Sequence, residues 1–414
     1  FRRVLFRSGY QFEDTQGTFH LKKAENISYL YFPIAGEAGL KSSLTPNLGG
    51  DAKIDQNTFL LEPVSAENLV NNRNSRNFWC NVKGIGSWSL TGNAAEALSK
   101  KFTEMQDDSE VTAGFMWQKT TRESKKYQLR GEILSFIPVE KNVEVMLVTI
   151  TNTGRMAQTV TPTAAIPLYG RSADNIRDHR HVTSLLHRIE TTDIGVLVTP
   201  TLSFDERGHQ VNHMTYYCVG WSGNGEKPVD FYPTAEDFVG EGGNFERPYA
   251  IVKNAEGVKA GTRIEGLEAV GGLHFSEVTL EPEEECSYLI FTGITEDIQE
   301  IRNLSKTYTT REMVLEELEK TKAYWQEKVN VAYHTGDSDF NQFMHWVSFQ
   351  PILRRIYGCS FLPHHDYGKG GRGWRDLWQD CLALLIMNPD GVRQMLLDNF
   401  AGVRVDGSNA TIIG

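Results

Sequence analysis

The residues from Tyr367 to Asp380 read YGKGGRGWRDLWQD and join a glycine-rich segment to the start of a predicted helix. Glycines let backbone N–H groups approach a ligand closely, and a helix N-terminus adds partial positive charge. Lys369, Arg372 and Arg375 add three formal positive charges. This combination predicts a loop that binds an anion, and phosphate suits it best.

The first turns of the predicted helix carry side chains that suit a sugar. Asp376 and Asp380 lie four residues apart and therefore share a face, with Gln379 beside them. Trp374 and Trp378 lie at the same end of the helix. Carboxylates and an amide can hydrogen-bond hydroxyl groups, and an indole offers a flat surface to the C–H face of a sugar ring. We therefore predict a sugar subsite next to the phosphate loop.

Length and composition limit the class of protein. The chain has 414 residues, which is too long for one hydrophobic core and indicates about two to three domains. Its net charge of -11 and its pI near 5.6 argue against a general nucleic-acid binder or a binder of anionic membranes. No apolar run approaches the roughly 18 residues of a membrane span, and no segment reads as a signal peptide. The five cysteines are widely spaced and form no zinc pattern, so they are predicted to be reduced thiols. We expect a cytoplasmic enzyme.

Residues 1–294 are predicted to form one large antiparallel β-sandwich. Short apolar or alternating runs recur there, among them Val143–Ile150, Gly195–Val198, Met214–Val219 and Ser287–Phe291. Turns rich in Asn, Gly and Pro separate them. No long helical pattern intervenes, which favours an antiparallel sandwich over alternating strand–helix units.

Helices are predicted after the sandwich, so the fold class is a multidomain β and α protein. Residues 295–335 are predicted to be a helical linker, with Thr295 and Asp297 able to start one helix and a capping box of Thr309 and Glu312 starting the next. Residues 336–414 are predicted to begin a helical domain, with Asp337 as a cap and an apolar helix over Leu377–Met387. Helices apolar over much of their surface must pack in a bundle or barrel, but three or four are too few to close a barrel.

The segment KGGRGWRDLWQD, with the apolar helix that follows it, resembles the first substrate-binding motif of the inverting phosphorylases of glycoside hydrolase family 94. That family includes cellobiose, chitobiose, cellodextrin and 1,2-β-oligoglucan phosphorylases. The order of parts is similar too: a large N-terminal β-sandwich, a helical linker and an (α/α)6 barrel. The family more often has Phe where this chain has Trp374. This version, with the stretches at residues 31–51 and 171–188, looks most like the 1,2-β-oligoglucan phosphorylases.

The resemblance implies cleavage of a β-linked gluco-oligosaccharide by inorganic phosphate to give α-glucose 1-phosphate. Phosphate would be the co-substrate, and no cofactor or metal is implied. The family's general acid is an Asp in a later Trp-Asn-Asp-like motif, which is expected beyond Gly414, so no catalytic acid is assigned to this chain. The chain is therefore expected to be a truncated fragment that is inactive by itself. We expect the sandwich to pack on the barrel and to supply a wall of the cleft or a homodimer contact.

The resemblance also assigns residues. It implies that Arg375 and Asp376 hydrogen-bond the sugar that keeps its anomeric carbon at the cleavage point. The family's phosphate-binding arginine lies a few residues earlier, so Lys369 or Arg372 is its counterpart. The predicted substrate-binding residues are Arg375, Asp376, Trp374, Gln379 and Asp380, and the predicted phosphate-binding residues are Lys369 and Arg372.

Plainer interpretations remain for these residues. The basic residues could form a solvated loop in which Arg375 merely pairs with Asp376, and Asp380 could pair with a basic group elsewhere in the chain. His179 and His181 would face the same side of a strand and could bind a metal with Asp174 or Asp178. A third ligand at convincing spacing is missing, so hydrogen bonding at a domain or subunit interface is favoured.

Two other functions are compatible with the sequence. The first is a non-catalytic carbohydrate-binding sandwich with helical appendages, since fold alone does not establish function. The second is a glycoside hydrolase with a helical barrel, which would need a second carboxylate as base for water.

Overall fold

The computed structural model describes residues 10–27, 30–65, 73, 75–205, 208–358, 372–409 and 412–413. Strands dominate this part of the chain before residue 296, and helices dominate after it. The strands are, in chain order, β1 (Tyr10–Phe12), β2 (Phe19–Lys22), β3 (Phe32–Ala35), β4 (Lys41–Leu44), β5 (Ala52–Asp55), β6 (Thr58–Leu61), β7 (Asn77–Val82), β8 (Gly86–Ser89), β9 (Asp108–Gly114), β10 (Trp117–Ser124), β11 (Leu129–Phe136), β12 (Val143–Asn152) and β13 (Gln158–Leu168). They continue with β14 (Arg188–Thr191), β15 (Gly195–Val198), β16 (Leu202–Asp205), β17 (Gly208–Val211), β18 (Thr215–Ser222), β19 (Asp230–Thr234), β20 (Arg263–Glu265), β21 (Ala269–His274), β22 (Val278–Leu280), β23 (Glu285–Thr295), β24 (Arg372–Gly373) and β25 (Ile412–Ile413).

Two sheets form the sandwich. The larger has eleven strands in the order β1-β2-β9-β10-β11-β12-β23-β18-β15-β14-β20. The second has six strands, with the order β19-β21-β13-β7-β8 and β22 beside β13. A smaller sheet, β3-β4-β5-β6, has four strands. The central pairs β11–β12, β12–β23 and β18–β23 are antiparallel.

Strand β12 shows why the predicted run over Val143–Ile150 is mostly apolar and does not alternate between apolar and polar residues. Met146, Val148 and Ile150 point into the core between the two large sheets. The alternate residues Val145 and Leu147 point to the opposite face, where helices cover them. Because both faces of this strand are buried, no position on it is exposed to solvent and so favours a polar residue. The sequence therefore lacks the alternation of apolar and polar residues that marks a strand with one exposed face.

The helices of the described residues are short within the sandwich and longer after it. They are α1 (Ala95–Ser99), α2 (Arg180–Thr183), α3 (Ala235–Val239), α4 (Tyr249–Lys253), α5 (Ile298–Thr307), α6 (Arg311–Lys328), α7 (Ser338–Tyr357), α8 (Trp374–Met387) and α9 (Val392–Phe400). Among them, none combines the length and the apolar character that crossing a membrane would require.

Helices α5 and α6 cover the outer face of the eleven-stranded sheet. Ile301 and Leu304 of α5 and Val314 and Leu318 of α6 are buried against that face. Burial of each such side chain contributes about 1.5–3 kcal/mol. Asp297 caps α5, because its carboxylate accepts a hydrogen bond from the backbone N–H of Gln299 at 2.8 Å.

Helices α7 to α9 join the sandwich through a separate aromatic cluster. The rings of Phe115 and Phe349 lie 4.5 Å apart, and Trp325 packs against Phe349. Trp346 donates a hydrogen bond from Nε1 to the backbone oxygen of Gly17 at 2.8 Å. This cluster sets the position of α7 relative to the sandwich.

The predicted fold class is confirmed: a large antiparallel sandwich precedes a helical region. Asp337 caps α7 as predicted, and α8 ends at Met387. The predicted capping box is wrong by one residue, because Thr310 is the N-cap of α6. Thr309 instead lies outside that helix and contacts the sulfur of Met313. The boundaries 1–294, 295–335 and 336–414 stay predictions.

Candidate functional site

The glycine-rich loop itself lies mostly outside the described residues. Lys369 falls in residues 359–371, of which nothing is described. Arg372 is described through its backbone alone, which pairs in β24 with Ile413 of β25. The predicted phosphate-binding role of both side chains stays a prediction.

Helix α8 begins where the predicted sugar subsite begins. Gly373 is its N-cap, and Arg375 and Asp376 occupy the first turn. The Arg375 side chain is 84% exposed and that of Asp376 is 46% exposed. Arg375 donates from Nε and Nη2 to Asp376 Oδ1 at 3.3 and 3.2 Å. Asp376 Oδ2 has no hydrogen-bond partner in the described part of the chain, so it is free to accept from a ligand.

The N-cap glycine makes room for the Asp376 carboxylate. A Cβ atom on Gly373 would lie 2.8 Å from Asp376 Oδ2, which is closer than real Cβ contacts allow. The backbone of Gly373 has ordinary extended angles, with φ -58 and ψ 129. Glycine at this position therefore leaves space for the Asp376 carboxylate where it lies, and the backbone conformation does not itself call for glycine.

Asp380 lies one turn further along α8 and has a protein partner. Its side chain is only 2% exposed. Arg354 of α7 donates from Nε to Asp380 Oδ1 at 2.8 Å and to Oδ2 at 2.9 Å, and Nη2 also contacts Oδ1. This contact is the one that the plainer interpretation of Asp380 expects. A sugar contact at Asp380 stays a prediction.

The tryptophans at the start of α8 pack against one another and against α9. The rings of Trp374 and Trp378 lie 5.3 Å apart, and Trp378 contacts Phe400 of α9 at 5.0 Å. Trp374 donates from Nε1 to the backbone oxygen of Asn399 at 3.3 Å. Trp378 Nε1 is buried and has no hydrogen-bond partner among the described residues. Gln379 is exposed.

The end of α7 is fixed to the small sheet of the sandwich by polar contacts. Arg355 donates from Nη1 and Nη2 to the two carboxylate oxygens of Glu37 at 3.0 and 2.6 Å. The hydroxyl group of Tyr357 lies 2.8 Å from the backbone oxygen of Ile34 and 2.6 Å from that of Ser42. Because α7 holds Asp380, these contacts connect the sandwich to the start of α8.

The electrostatics of Glu37 agree with this junction. Burial raises the pKa of Glu37, but the hydrogen bonds and charge of Arg355 and the hydrogen bond from Tyr324 outweigh it, so the pKa lies below its usual value. Glu37 is therefore ionised at neutral pH and serves as an anionic anchor for α7.

A buried ion pair lies beneath the same junction. Arg76 and Glu144 both have fully buried side chains, and Arg76 donates from Nη2 to Glu144 Oε2 at 2.9 Å. Arg76 also donates to the backbone oxygen of Gly50 at 2.9 Å, and Ser42 donates to Glu144 at 2.6 Å. Sequence reasoning missed this pair. Its one signal was a glutamate inside the apolar run Val143–Ile150.

The histidine cluster is not on a strand, so the strand geometry considered for it is wrong. His179 immediately precedes α2, and His181 lies within it, with ring centroids 5.6 Å apart. Within the described residues, no group of three His, Cys, Asp or Glu side chains could hold a metal ion. The cysteines Cys80, Cys218 and Cys286 are free thiols, as predicted.

The family model described as "Glycosyl hydrolase 94, supersandwich domain" matches residues 63–311. The chain belongs to glycosyl hydrolase family 94. The glycosyl hydrolase 94 match begins at Pro63, just after β6, and ends at Arg311, the first residue of α6.

Individual relatives of this glycosyl hydrolase 94 chain are distant. It is 27% identical over 203 residues to the cyclic beta-(1,2)-glucan synthase NdvB of Rhizobium meliloti (strain 1021), which is 46% of this chain and 6% of that protein. A human-microbiome protein named as a kojibiose phosphorylase is similar in structure, with a TM-score of 0.44, 9% identity, and 83% of this chain and 42% of that chain covered. A bacterial glucoamylase complexed with acarbose gives a TM-score of 0.49 and 10% identity, with 98% of this chain and 52% of that chain covered. The chain thus spans a small part of the curated relative and about half of each of these structures.

Proposed function

We propose that the chain is part of an inverting phosphorylase that cleaves a β-linked gluco-oligosaccharide with inorganic phosphate. A phosphate oxygen bonds to the anomeric carbon while the bond from that carbon to the glycosidic oxygen breaks, and a carboxylic acid gives its proton to the leaving oxygen. Inversion turns the β-linkage into α-glucose 1-phosphate. Phosphate is already anionic at neutral pH, so no base is needed to activate it.

The start of α8 carries the proposal. Arg375 and Asp376 lie exposed in the first turn, next to the basic glycine segment, and Asp376 Oδ2 is open to a ligand. A carboxylate beside a guanidinium offers an acceptor and donors to adjacent sugar hydroxyls. Membership of glycosyl hydrolase family 94 supports carbohydrate as the substrate class.

The remaining roles follow from position and are part of the same proposal. Lys369 or Arg372 would bind phosphate, assisted by the partial positive charge at the N-terminus of α8. Trp374 and Gln379 would line the sugar subsite. Asp380, held by Arg354, would fix the position of the first turn of α8, so that Arg375 and Asp376 can contact the sugar. The enzyme would act in the cytoplasm.

The similarity to a cyclic beta-(1,2)-glucan synthase supports a preference for β-1,2-linked glucose, in the manner of a 1,2-β-oligoglucan phosphorylase. The test uses the complete natural protein with sophorose, a β-1,2-linked disaccharide, and with cellobiose as the β-1,4-linked control. We expect α-glucose 1-phosphate to appear from sophorose only when phosphate is present.

The same assay separates the alternatives. Asp376→Asn should lower kcat/KM about 100-fold or more, because it removes a charged partner of the sugar in the transition state. Release of free glucose without phosphate would indicate a hydrolase and would refute the phosphorylase. Saccharide binding that is unaffected by Asp376→Asn, with no turnover, would indicate a binding module.

A further inference from the structure

A groove of about 540 Å³ opens between α5 and the loop before β12. Its volume is in the range of small-molecule sites. Lys141 and Asn142 line one side, and Glu300, Asn303 and Thr307 of α5 line the other. These side chains offer hydrogen-bond donors and acceptors on facing walls.

The hydroxyl group of Tyr217 is the unusual member of this groove. Tyr217 lies on β18 and is only 3% exposed, yet it lines the groove. Its hydroxyl group makes no hydrogen bond to any residue in the described part of the chain. Burial, with the nearby Glu300 and Tyr308, raises the pKa of Tyr217 well above its usual value, so the group stays neutral and able to donate. Because this hydroxyl group lines the groove and has no protein partner among the described residues, it is available to bond to whatever fills the groove.

The position of that hydroxyl depends on a glycine. A Cβ atom on Gly293 of the neighbouring strand β23 would lie 2.4 Å from the Tyr217 oxygen. Gly293 therefore leaves the space that the hydroxyl group occupies.

The surrounding polar groups are held in place by other contacts. Lys141 Nζ donates to the Tyr308 hydroxyl at 2.9 Å and lies 4.5 Å from the centre of its ring. Asn142 Oδ1 accepts from the backbone N–H of Leu40 at 2.9 Å, which directs its amide. Glu300 accepts from the Thr295 hydroxyl at 2.6 Å. The site is therefore largely preformed, and a ligand would lose little affinity in ordering it.

The charges select the kind of ligand. Glu140 and Glu300 contribute two negative charges to the lining and Lys141 contributes one positive charge, so an anion such as phosphate is disfavoured. Polar walls also disfavour an apolar ligand. A neutral molecule rich in hydroxyl groups can use both the donors and the acceptors.

We propose that this groove is a second saccharide site, which holds a neutral glucosyl unit away from the Arg375–Asp376 subsite. The choice of a saccharide as the polyhydroxyl ligand rests on the proposed function. Ala38, which lines the groove, follows Glu37, the partner of Arg355 in α7. The groove thus borders the junction between the sandwich and α7, where a long glucan could extend from the cleavage site.

Calorimetric titration of the 414-residue chain with sophorose tests this site. Tyr217→Phe deletes one hydroxyl group and should weaken binding about fivefold, the usual worth of one neutral hydrogen bond. Asn303→Ala, on the exposed side of α5, should weaken it similarly. The matched control is Tyr216→Phe, which makes the same deletion at the next residue of β18, whose ring points into the sandwich core. Its sophorose affinity should be unchanged.

Hydrogen exchange gives a second readout that does not rely on variants. Sophorose should slow exchange in residues 298–307 and 139–143, and inorganic phosphate should not. Unchanged affinity in both Tyr217→Phe and Asn303→Ala, or no protection of α5, would overturn the second site.

A failure of the second site can be told apart from a failure of the proposed function. If Asp376→Asn alone abolishes sophorose binding, the start of α8 explains all binding, and the second site is wrong. If the groove variants weaken binding but the complete protein forms no glucose 1-phosphate, the second site holds and the phosphorylase does not.

Discussion

Arg354 of α7 and Asp380 of α8 form a two-pronged ion pair that holds the start of α8 against its neighbour. The Asp380 side chain is buried, whereas the Arg354 side chain is 39% exposed. Asp376 lies one turn before Asp380, so the pair also sets the direction in which Asp376 points. Asp380 thus has a defined partner on another helix, 26 residues away in the chain.

Loss of the arginine should destabilise the protein. In Arg354→Met the buried Asp380 carboxylate has lost its charged partner, and we expect a loss of about 2–4 kcal/mol in the free energy of unfolding. Urea denaturation measures it, with Arg375→Met as the control, because that arginine is 84% exposed and should change stability by less than about 0.5 kcal/mol. Adding Asp380→Asn to Arg354→Met should recover part of the loss. Equal stability of the two single variants would contradict a structural role for the pair.

The Arg76–Glu144 pair should contribute more to stability than the Arg354–Asp380 pair, because neither of its side chains reaches solvent. Glu144→Gln leaves the arginine charge buried without its anion, and we expect a loss of about 3–5 kcal/mol. The matched control is Glu277→Gln, which breaks the exposed pair with Lys83 and should cost about 0–1 kcal/mol. Thermal and urea unfolding measure both. Similar losses in the two variants would show that burial does not govern these pairs.

Stability should fall on acidification because of His187. Burial, with the neighbouring Arg171 charge, lowers the pKa of His187 to about 3. An unfolded histidine has a pKa of about 6.5, so between those values the unfolded chain binds a proton that the folded chain does not. The neutral side chain therefore stabilises the fold fully above about pH 6.5, and this contribution is lost as the pH falls toward about 3.

Between the two pKa values, the contribution of His187 to the free energy of unfolding should change by about 1.4 kcal/mol per pH unit. His187→Gln should flatten the pH dependence of the urea midpoint between pH 6 and pH 4, whereas His213→Gln, at an exposed position, should leave it unchanged. A parallel pH profile for wild type and His187→Gln would refute this origin.

Gly373→Ala should lower activity more than it lowers the stability of the fold. The new Cβ atom would push Asp376 Oδ2 from its position, and a carboxylate at the end of a side chain can swing away at little cost. If Asp376 binds the sugar, we expect kcat/KM for sophorose phosphorolysis to fall about 10-fold or more, with the unfolding midpoint nearly unchanged. Gly336→Ala is the control, because a Cβ atom there would contact nothing within 4 Å. Full activity of Gly373→Ala would argue against Asp376 as a contact.

Local features of the fold could be predicted well. The runs around Val143 and Gly195 are strands β12 and β15, and Asp297 and Asp337 cap α5 and α7. The misplaced cap at Thr309 shows the limit, because two adjacent threonines have the same chemistry and the tertiary environment decides between them. The candidate site was located by the glycines, charges and tryptophans of one stretch, but its supports on α7 and the small sheet gave no comparable signal.

The sequence by itself determined the order of strands and helices and the chemistry available at the start of α8, because periodicity and capping act between residues a few positions apart. Only the tertiary structure decided which charges meet. The partners of Asp380 and Glu144 lie 26 and 68 residues away. Ion pairs over such separations depend on which sheets and helices pack together, and that packing depends mainly on burial of apolar surface, which carries no information about an individual charge.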